Sequence, residues 1–241
     1  MPLLSICVPV YNEAENLPLL HQAIIDVVGP ANIDTEIILV DDGSKDDSWR
    51  TIESLVAKDR RVRGVKFQYN CGETAASDAG LRAARGTYVM TMDADLQNDP
   101  KDIPAFLAAI QQPNVDCVCG TRVATRGQGD SFIRVASSRT ANYVRNKLSD
   151  ESISDAGCTY RCFKRECVDK LKLFRGLHRF IPTLLKMEGY RVVEIPVTNN
   201  PRLHGESKYG VWNRLFKSFY DLLAIRWMKS RLLNYRIGKE V

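Results

Sequence analysis

The first half of the sequence alternates short apolar runs with longer stretches in which apolar residues recur every three or four positions. The short runs have the length of buried strands, and the longer stretches have the period of amphipathic helices. Strands are predicted at residues 3–10, 36–40, 62–67, 88–92 and 115–118, and helices at 13–28, 73–84 and 100–110. The first helix has its apolar residues on one face, namely Leu17, Leu20, Ile24, Val27 and Val28. This alternation predicts an α/β fold, a mostly parallel Rossmann-like sheet with helices on both faces.

The alternation weakens after Gly120. The composition predicts a loop at residues 121–130, helices at 133–148 and 178–187, and strands at 158–163 and 190–197. Residues 209–233 have apolar residues at helical spacing with basic residues between them. The apolar set is Trp212, Leu215, Phe216, Phe219, Leu222, Leu223 and Trp227, and the basic set is Arg214, Lys217, Arg226 and Lys229. This pattern predicts a C-terminal amphipathic helix, which either packs on its own domain or lies at a membrane surface.

Polar and acidic residues follow three of the predicted strands directly. These segments are Tyr11-Asn12-Glu13, Asp41-Asp42 and Asp93-Ala94-Asp95. A single acidic strand end is most often ordinary turn or cap chemistry, because Asp and Asn favour those positions. In a parallel sheet, however, the carboxyl ends of the strands share one edge, and ligands bind there. Three such segments therefore predict a ligand site at that edge.

The residue types at this edge limit its chemistry. Carboxylates without neighbouring His or Cys suit Mg²⁺ or Mn²⁺ and do not suit zinc. Such a cation neutralises charge on a nucleotide diphosphate leaving group. The sequence has no G-x-G-x-x-G after its first strand and no G-x-x-x-x-G-K-[ST], which disfavours a dinucleotide oxidoreductase and a P-loop kinase.

Five motifs in order along the chain resemble a known family. They are Pro9-Val10-Tyr11-Asn12-Glu13, Val40-Asp41-Asp42-Gly43-Ser44, Asn70-Cys71-Gly72-Glu73-Thr74-Ala75-Ala76, Asp93-Ala94-Asp95-Leu96-Gln97 with Asp99-Pro100, and Arg202 with Gly205-Glu206-Ser207-Lys208-Tyr209. Together they are similar to the inverting family 2 glycosyltransferases of the GT-A fold. Within that family they resemble the dolichol-phosphate mannose synthase-like enzymes, which use polyprenyl phosphates.

The resemblance implies roles for individual residues. Pro9, Tyr11, Glu13 and Asp42 would hold the base and ribose of a UDP- or GDP-sugar donor, and Asp93 would lie by the ribose and sugar. Asp95 and Gln97 would ligate the metal on the diphosphate, and Arg202 and Lys208 would close over the phosphates. The residues assigned to catalysis are Asp93, Asp95, Arg134 and Ser138.

The segment after the metal motif indicates whether the acceptor is a hydroxyl or a phosphate. Family members that act on a hydroxyl usually carry a Glu-Asp pair there as the general base, and residues 99–161 contain no such pair. The segment instead contains Arg122, Arg126, Arg134, Ser137, Ser138 and Arg139, which suit a phosphate. The family comparison assigns Arg134 and Ser138 to the lipid phosphate, with Arg122 as a further candidate. A solvated helix face is the structural alternative for these arginines, and Asp155 is either a base or a turn residue.

Composition and charge predict reduced cysteines and contact with a membrane surface. The seven cysteines are scattered and odd in number, which predicts reduced thiols, and Cys117 and Cys119 should share one side of a strand. From residue 205 onward there are eight basic and three acidic residues, so this part alone carries the net charge of +5. The earlier part is neutral, which argues against general nucleic-acid binding. A basic amphipathic helix suits peripheral contact with an anionic membrane, with or without a membrane-protein partner.

The sequence therefore predicts a metal-dependent enzyme that transfers a hexose, with inversion, from a UDP- or GDP-sugar to a polyprenyl phosphate. The expected organisation is a catalytic domain at residues 1–204 and a phosphate-closing loop with a basic amphipathic helix at 205–241. No apolar run reaches the roughly 18 residues that cross a bilayer, so the chain is expected to be cytoplasmic, at the inner membrane face. The rival hypotheses are a family member that acts on a hydroxyl acceptor and a catalytically idle nucleotide-sugar sensor.

Overall fold

A computed structural model describes residues 1–123, 153–201, 211–233 and 238–239, with backbone alone for 211–218. Its strands are β1 Leu4–Val10, β2 Thr35–Asp41, β3 Val62–Lys66, β4 Tyr88–Thr91, β5 Cys117–Thr121, β6 Arg161–Lys164 and β7 Val192–Pro196. Its α-helices are α1 Asn16–Val28, α2 Ser48–Lys58, α3 Glu73–Ala83, α4 Ile103–Ile110, α5 Arg165–Lys170, α6 Ile181–Met187 and α7 Val211–Ser230. Short 3-10 turns at Pro100–Asp102 and Leu177–Phe180 lead into α4 and α6.

The seven strands form one sheet in the order β3-β2-β1-β4-β6-β5-β7. β1 is central and pairs in parallel with β2 and with β4, while β6 runs antiparallel to β4 and β5. The predicted α/β fold with a mostly parallel sheet is thus confirmed. The reversed strand β6 was not predicted, because strand direction depends on the route of the preceding chain and leaves no trace in the apolar pattern.

Two hydrophobic clusters cover the two faces of the sheet. Leu4, Ile6 and Val8 of β1 face the cluster that contains α1, α2 and α4. Cys7 of the same strand faces the cluster that contains α3, α5, α6 and α7. Because successive side chains of a strand point to opposite faces, a strand buried on both sides is apolar almost throughout. This double burial explains why β1 reads as a continuous apolar run.

Several element boundaries differ from the prediction. The predicted helix at 13–28 begins at Asn16, because the Glu13 amide donates to Ser48 at the start of α2 and the Ala14 amide donates to Asp46 in the loop before it. The predicted strand at 158–163 is shorter and later, at Arg161–Lys164, and the short helix α5 was not predicted. The predicted helix at 133–148 and most of the predicted loop at 121–130 lie outside the described residues.

All seven cysteines are free thiols, as the scattered spacing predicts. Cys117 and Cys119 lie on one side of β5 with their sulfurs 3.7 Å apart, which confirms their predicted shared side. Six of the seven are buried, and Cys71 is partly exposed. Burial raises the pKa of Cys158 to about 11, so this thiol stays protonated and behaves as a small apolar side chain.

Helix α7 has both a buried and an exposed apolar face. Leu222 and Ile225 are buried in the cluster that contains α6, and Arg179 contacts Asp221 at 3.4 Å. Phe219, Leu223 and Trp227, spaced four residues apart, are 51%, 45% and 65% exposed. We call these three residues the outer stripe. None of the helices within the described parts of the chain has the length and apolar character needed to cross a bilayer.

The turn after β2 depends on a glycine. Gly43 has φ +67°, and a Cβ at this position would lie 2.5 Å from the carbonyl carbon of Tyr69. We therefore predict that Gly43→Ala lowers the free energy of unfolding by about 3 kcal/mol, since it adds a steric clash to an unfavourable φ. Urea denaturation measures this change.

Gly189 provides the matched control for Gly43. It also has a positive φ, +88°, but a Cβ there would meet no atom within 4 Å. Gly189→Ala should cost only about 1 kcal/mol. Equal losses for the two variants would show that the contact between the loops at residues 43 and 69 is not tight.

Candidate functional site

The loops after β1 and β2 are joined at the carboxyl edge of the sheet. Asn12, which has φ +56°, donates its amide N–H to Ser44 Oγ at 2.9 Å, and its Oδ1 accepts from the Lys45 amide at 2.8 Å. The Glu13 amide donates to Ser48 Oγ at 2.8 Å. An asparagine tolerates the left-handed region because its side chain can bond locally. The predicted convergence of these two strand ends is thus confirmed.

Glu13, Tyr11 and Pro9 all lie at this end of β1. Glu13 accepts from Asn16 Nδ2 at 2.6 Å, so its carboxylate also holds the start of α1. Tyr11 is half-buried, and Pro9 lines a cavity with Asp93. Their assignment to the base and ribose of a donor stays a prediction.

Asp42 is buried and holds the loop before α3. Its carboxylate accepts from the Cys71 amide at 2.6 Å, from the Gly72 amide at 2.9 Å and from Asn70 Nδ2 at 2.9 Å. Burial raises the pKa of Asp42, the two amide bonds oppose this rise, and neighbouring Asp41 adds to it. Asp42 therefore shapes the motif at residues 70–72, whatever it contributes to a ligand.

The segment Asp93-Ala94-Asp95-Leu96-Gln97 turns sharply after β4. Leu96 has φ +62°, and Asp95 Oδ1 accepts from the Gln97 amide at 3.2 Å. Asp93 Oδ2 accepts from Thr159 Oγ1 at 2.6 Å. Desolvation raises the pKa of Asp93, and the nearby charge of Asp95 raises it further. The two carboxylates thus repel each other in a poorly solvated turn.

This carboxylate pair fits a divalent cation that shares its coordination with a ligand. Within the described residues, no group of three or more His, Cys, Asp or Glu side chains could hold a metal by itself. Mg²⁺ typically takes one or two carboxylates and completes its shell with substrate phosphates and water. Asp95, 7% exposed, and Gln97 on the same turn provide oxygens of this kind. A positive ion beside Asp93 and Asp95 would also relieve their mutual repulsion.

Arg122 forms a two-bond ion pair with Asp155. The Nε–Oδ2 and Nη2–Oδ1 distances are 2.7 and 3.1 Å, and the Arg122 amide donates to the same carboxylate. Burial opposes the charge of Arg122, but Asp155 outweighs this effect and raises the pKa of the guanidinium. Asp155 is 2% exposed, so it is neither open to solvent nor free of a counter-ion. This geometry suits a structural ion pair better than a general base.

Four predicted site residues have no described geometry. Arg134, Ser138, Arg202 and Lys208 lie outside the described residues. Their roles stay predictions.

The structure adds site residues that the sequence analysis missed. A cavity next to Asp93, here called the Asp93 cavity, is lined by Pro9, Glu73 and Asp93, which belong to the predicted motifs. It is also lined by Thr159, Arg161 and His178, which the sequence analysis did not place at the site, among others. The sequence contains one indication that Arg161 has a special role, because a charged residue is unusual inside a predicted buried strand. His178 gave none, since its partner Thr74 is 104 positions away along the chain.

The chain matches the model of "Glycosyl transferase family 2" over residues 5–172. The chain belongs to this family. The family assignment made from the five motifs is thereby confirmed, and the match covers the loops that carry Glu13, Asp42, Asp95 and Asp155.

Curated family relatives share about a third of their residues with the chain. Dodecaprenyl-phosphate galacturonate synthase from Rhizobium johnstonii is 36% identical over 92% of this chain and 66% of its own length. Undecaprenyl-phosphate 4-deoxy-4-formamido-L-arabinose transferase from Aeromonas hydrophila is 36% identical over 92% of this chain and 67% of its own length. The chain thus spans about two thirds of these relatives.

Solved structures share the fold of this family member at low identity. A mannosyltransferase from Pyrobaculum calidifontis, in complex with GDP-Man and Mn²⁺, has a TM-score of 0.67 at 20% identity, over 97% of this chain and 65% of its own. Glucosyl-3-phosphoglycerate synthase from Mycobacterium tuberculosis, with Mn²⁺, UDP and phosphoglyceric acid, has a TM-score of 0.68 at 17% identity, over 97% and 80%. These likenesses support the GT-A architecture.

The ion pair of Arg122 and Asp155 predicts a stability effect. Asp155→Asn leaves a largely buried guanidinium without its carboxylate, and we expect the free energy of unfolding to fall by about 3 kcal/mol. Asp169→Asn is the matched control, because Asp169 faces Arg165 at 3.8 Å and is 63% exposed. That variant should change stability by less than about 0.5 kcal/mol. Denaturant unfolding measures both.

A general base would behave differently in the same experiment. If Asp155→Asn abolished turnover while stability and donor binding stayed unchanged, Asp155 would be the base of a hydroxyl-acceptor enzyme. The structural interpretation of the ion pair would then be wrong.

Proposed function

We propose that this chain is an inverting, metal-dependent glycosyltransferase that transfers a hexose from a UDP- or GDP-sugar to a polyprenyl phosphate. The observation that carries the proposal is the set of carboxylates at one sheet edge, where Asp42 organises the loop at residues 70–72 and Asp93 and Asp95 share one turn. Family membership supports the reaction class. The two curated relatives, whose names contain dodecaprenyl and undecaprenyl phosphate, support the acceptor class.

The donor side uses the loops after β1, β2 and β4. In this proposal, Pro9, Tyr11, Glu13 and Asp42 bind or position the base and ribose, and Asp93 lies by the sugar. Asp95 and Gln97 would hold Mg²⁺ or Mn²⁺, which when bound neutralises the charge that develops on the departing diphosphate. Arg202 and Lys208 would close over the phosphates and exclude water.

The acceptor side is proposed to need no general base. A lipid phosphate is already an anion at neutral pH, so its oxygen can attack the anomeric carbon opposite the diphosphate without first losing a proton. Arg134 and Ser138 are the proposed phosphate ligands. The pairing of Asp155 with Arg122 supports this view, because a carboxylate held by two guanidinium bonds is a weaker base. The same pairing engages the Arg122 guanidinium and so makes Arg122 a weaker candidate for the lipid phosphate.

Helix α7 is proposed to bring the enzyme to the membrane that contains its acceptor. The outer stripe, Phe219, Leu223 and Trp227, is exposed, and Arg226 and Arg231 are exposed on or beside the same helix. Aromatic residues with adjacent cations are typical of helices that lie in a membrane interface. This surface supports the proposal of peripheral contact at the cytoplasmic membrane face, alone or with a membrane-protein partner.

The reaction is tested by nucleotide diphosphate release. The purified protein is incubated with Mn²⁺, a panel of UDP- and GDP-sugars and a short-chain polyprenyl phosphate. We expect release that requires both the lipid phosphate and the metal. Asp95→Asn should lower kcat/KM by about a hundredfold or more, since it removes a proposed metal ligand.

Asp102→Asn is the control for this assay. Asp102 follows the segment at residues 93–97 in the sequence, but its carboxylate accepts from the Thr198 amide at 2.8 Å, and it has no proposed role in catalysis. Its activity should stay close to that of the wild type. Release with a glycan hydroxyl acceptor and none with polyprenyl phosphate would refute the acceptor class, and no release with any donor would refute the reaction.

The membrane contact is tested with vesicles. We expect the double variant Phe219→Ser/Trp227→Ser to bind vesicles that contain phosphatidylglycerol at least about tenfold more weakly, because two apolar anchors are lost. Leu19→Ser is the matched control, since Leu19 is 47% exposed on α1. Co-sedimentation measures binding. Unchanged binding of the double variant would exclude the outer stripe as the membrane contact.

A further inference from the structure

The 3-10 turn Leu177–Phe180 connects the two sides of the Asp93 cavity through His178. On one side, His178 Nδ1 lies 2.7 Å from Thr74 Oγ1, and Nε2 lies 3.4 Å from Glu73 Oε1. Thr74 and Glu73 form the first turn of α3. The imidazole therefore touches the N-terminal end of the helix that follows the loop at residues 70–72.

The bonds around Thr74 favour one tautomer of the imidazole. The ionised Glu73 carboxylate near Nε2 can only accept, and Thr74 Oγ1, which accepts from the Gly176 amide at 2.9 Å, can still donate its hydroxyl proton to His178 Nδ1. The ring proton then resides on Nε2, directed to the Glu73 carboxylate. A histidine oriented at both nitrogens is a defined structural support.

On the other side, the main chain of His178 is held by a buried arginine. Arg161 Nη1 donates to the His178 carbonyl at 2.7 Å, and Nη2 donates to the Ala156 carbonyl at 3.4 Å. Arg161 is 2% exposed, and its Nε has no hydrogen-bond partner among the described residues. It lies on β6, two residues after Thr159, which donates to Asp93.

His178 thus stands between the two carboxylate groups of the site. Through Thr74 it contacts the start of α3. The amides of Cys71 and Gly72, which come just before this helix, donate to the Asp42 carboxylate. Through Arg161 it contacts the strand whose neighbouring Thr159 holds Asp93. We call the loop that contains Asp42, together with residues 70–72 that bind it, the Asp42 loop, and residues 93–97 the Asp93 segment. A shift of the turn Leu177–Phe180 would change the distance between them.

We propose that His178 is a positioning residue for the donor, which sets the spacing between the Asp42 loop and the Asp93 segment by its bond to Thr74. The inference rests on the proposed function in one respect, namely that a nucleotide sugar spans these two segments. His178 acts through Thr74 and is assigned no chemical step.

Two substitutions at His178 separate the contribution of each ring nitrogen. An asparagine amide can take the place of Nδ1, whereas a glutamine amide reaches the place of Nε2. We expect His178→Asn to keep donor affinity within about threefold of the wild type, and His178→Gln to weaken it about tenfold, the effect of one lost hydrogen bond in a buried setting. The measurement is calorimetric titration with UDP- and GDP-sugars in Mn²⁺, together with KM and kcat.

Substitutions at Thr74 test the same bond from the other side. Thr74→Val removes the hydroxyl with little change of shape, and with it both the bond to His178 and the acceptor of the Gly176 amide, and should weaken donor binding about tenfold or more. Thr74→Ser keeps the hydroxyl and should not weaken binding. If both residues act through one bond, the double variant Thr74→Val/His178→Gln should be no worse than the poorer single variant. We expect KM to rise and kcat to change less than about threefold.

His21→Asn is the control for a histidine that only stabilises the fold, because an asparagine amide takes the place of Nδ1 and does not reach that of Nε2. His21 Nε2 lies 2.9 Å from Asp59, in a part of α1 that does not line the cavity. This variant should change the thermal midpoint without changing donor affinity. Thermal unfolding of every variant identifies losses of binding that come from unfolding.

The outcomes distinguish this inference from the function on which it rests. If the wild type binds no nucleotide sugar, the proposed function fails and the inference fails with it. If the wild type binds and folded His178→Gln binds equally well, the positioning role alone is refuted. If His178→Asn is as weak as His178→Gln, the bond to Thr74 is not the cause and the inference is also refuted.

Discussion

The parallel pairing of β1 with β2 on one side and β4 on the other is the constraint on which the site depends. It sends three strand ends to one edge of the sheet and delivers Glu13, Asp42 and the Asp93 segment there. Parallel strands require long crossovers, and the helices that provide them bury both faces of the sheet. The same arrangement that builds the core therefore also gathers negative charge at one edge.

The fold handles this charge in two ways. Asp42 is satisfied internally, by two backbone amides and one side-chain amide, so it is part of the scaffold. Among the described residues, the Asp93 carboxylate has one hydrogen-bond partner, the Thr159 hydroxyl, and burial and the charge of Asp95 raise its pKa more than Thr159, Arg122 and Arg161 lower it. A carboxylate in this condition, with a second carboxylate at Asp95 on the same turn, favours a positively charged ligand at that place.

The apolar pattern predicts the parallel core well, because burial on both faces of β1, β2 and β4 produces continuous apolar runs. It could not predict the direction of β6, because that direction depends on the path of the long chain segment between β5 and β6. It also could not pair Arg122 with Asp155 or His178 with Thr74, because a local sequence does not encode which distant residue will be its neighbour. The edge that holds the site was thus predictable, and its supporting bonds were not.

Helix α7 packs on its own domain, as one interpretation of its sequence pattern predicts, and membrane contact by its exposed face stays a proposal. Leu222 and Ile225 join the core that covers one face of the sheet, while the outer stripe stays exposed. Because the apolar residues of α7 occupy two faces, its periodicity alone could not separate packing from membrane contact. The turn Leu177–Phe180 contacts α7 through Arg179 and α3 through His178. The outer stripe, which we propose as a membrane contact, is thereby linked through one short turn to α3, so it has a defined orientation relative to the candidate site.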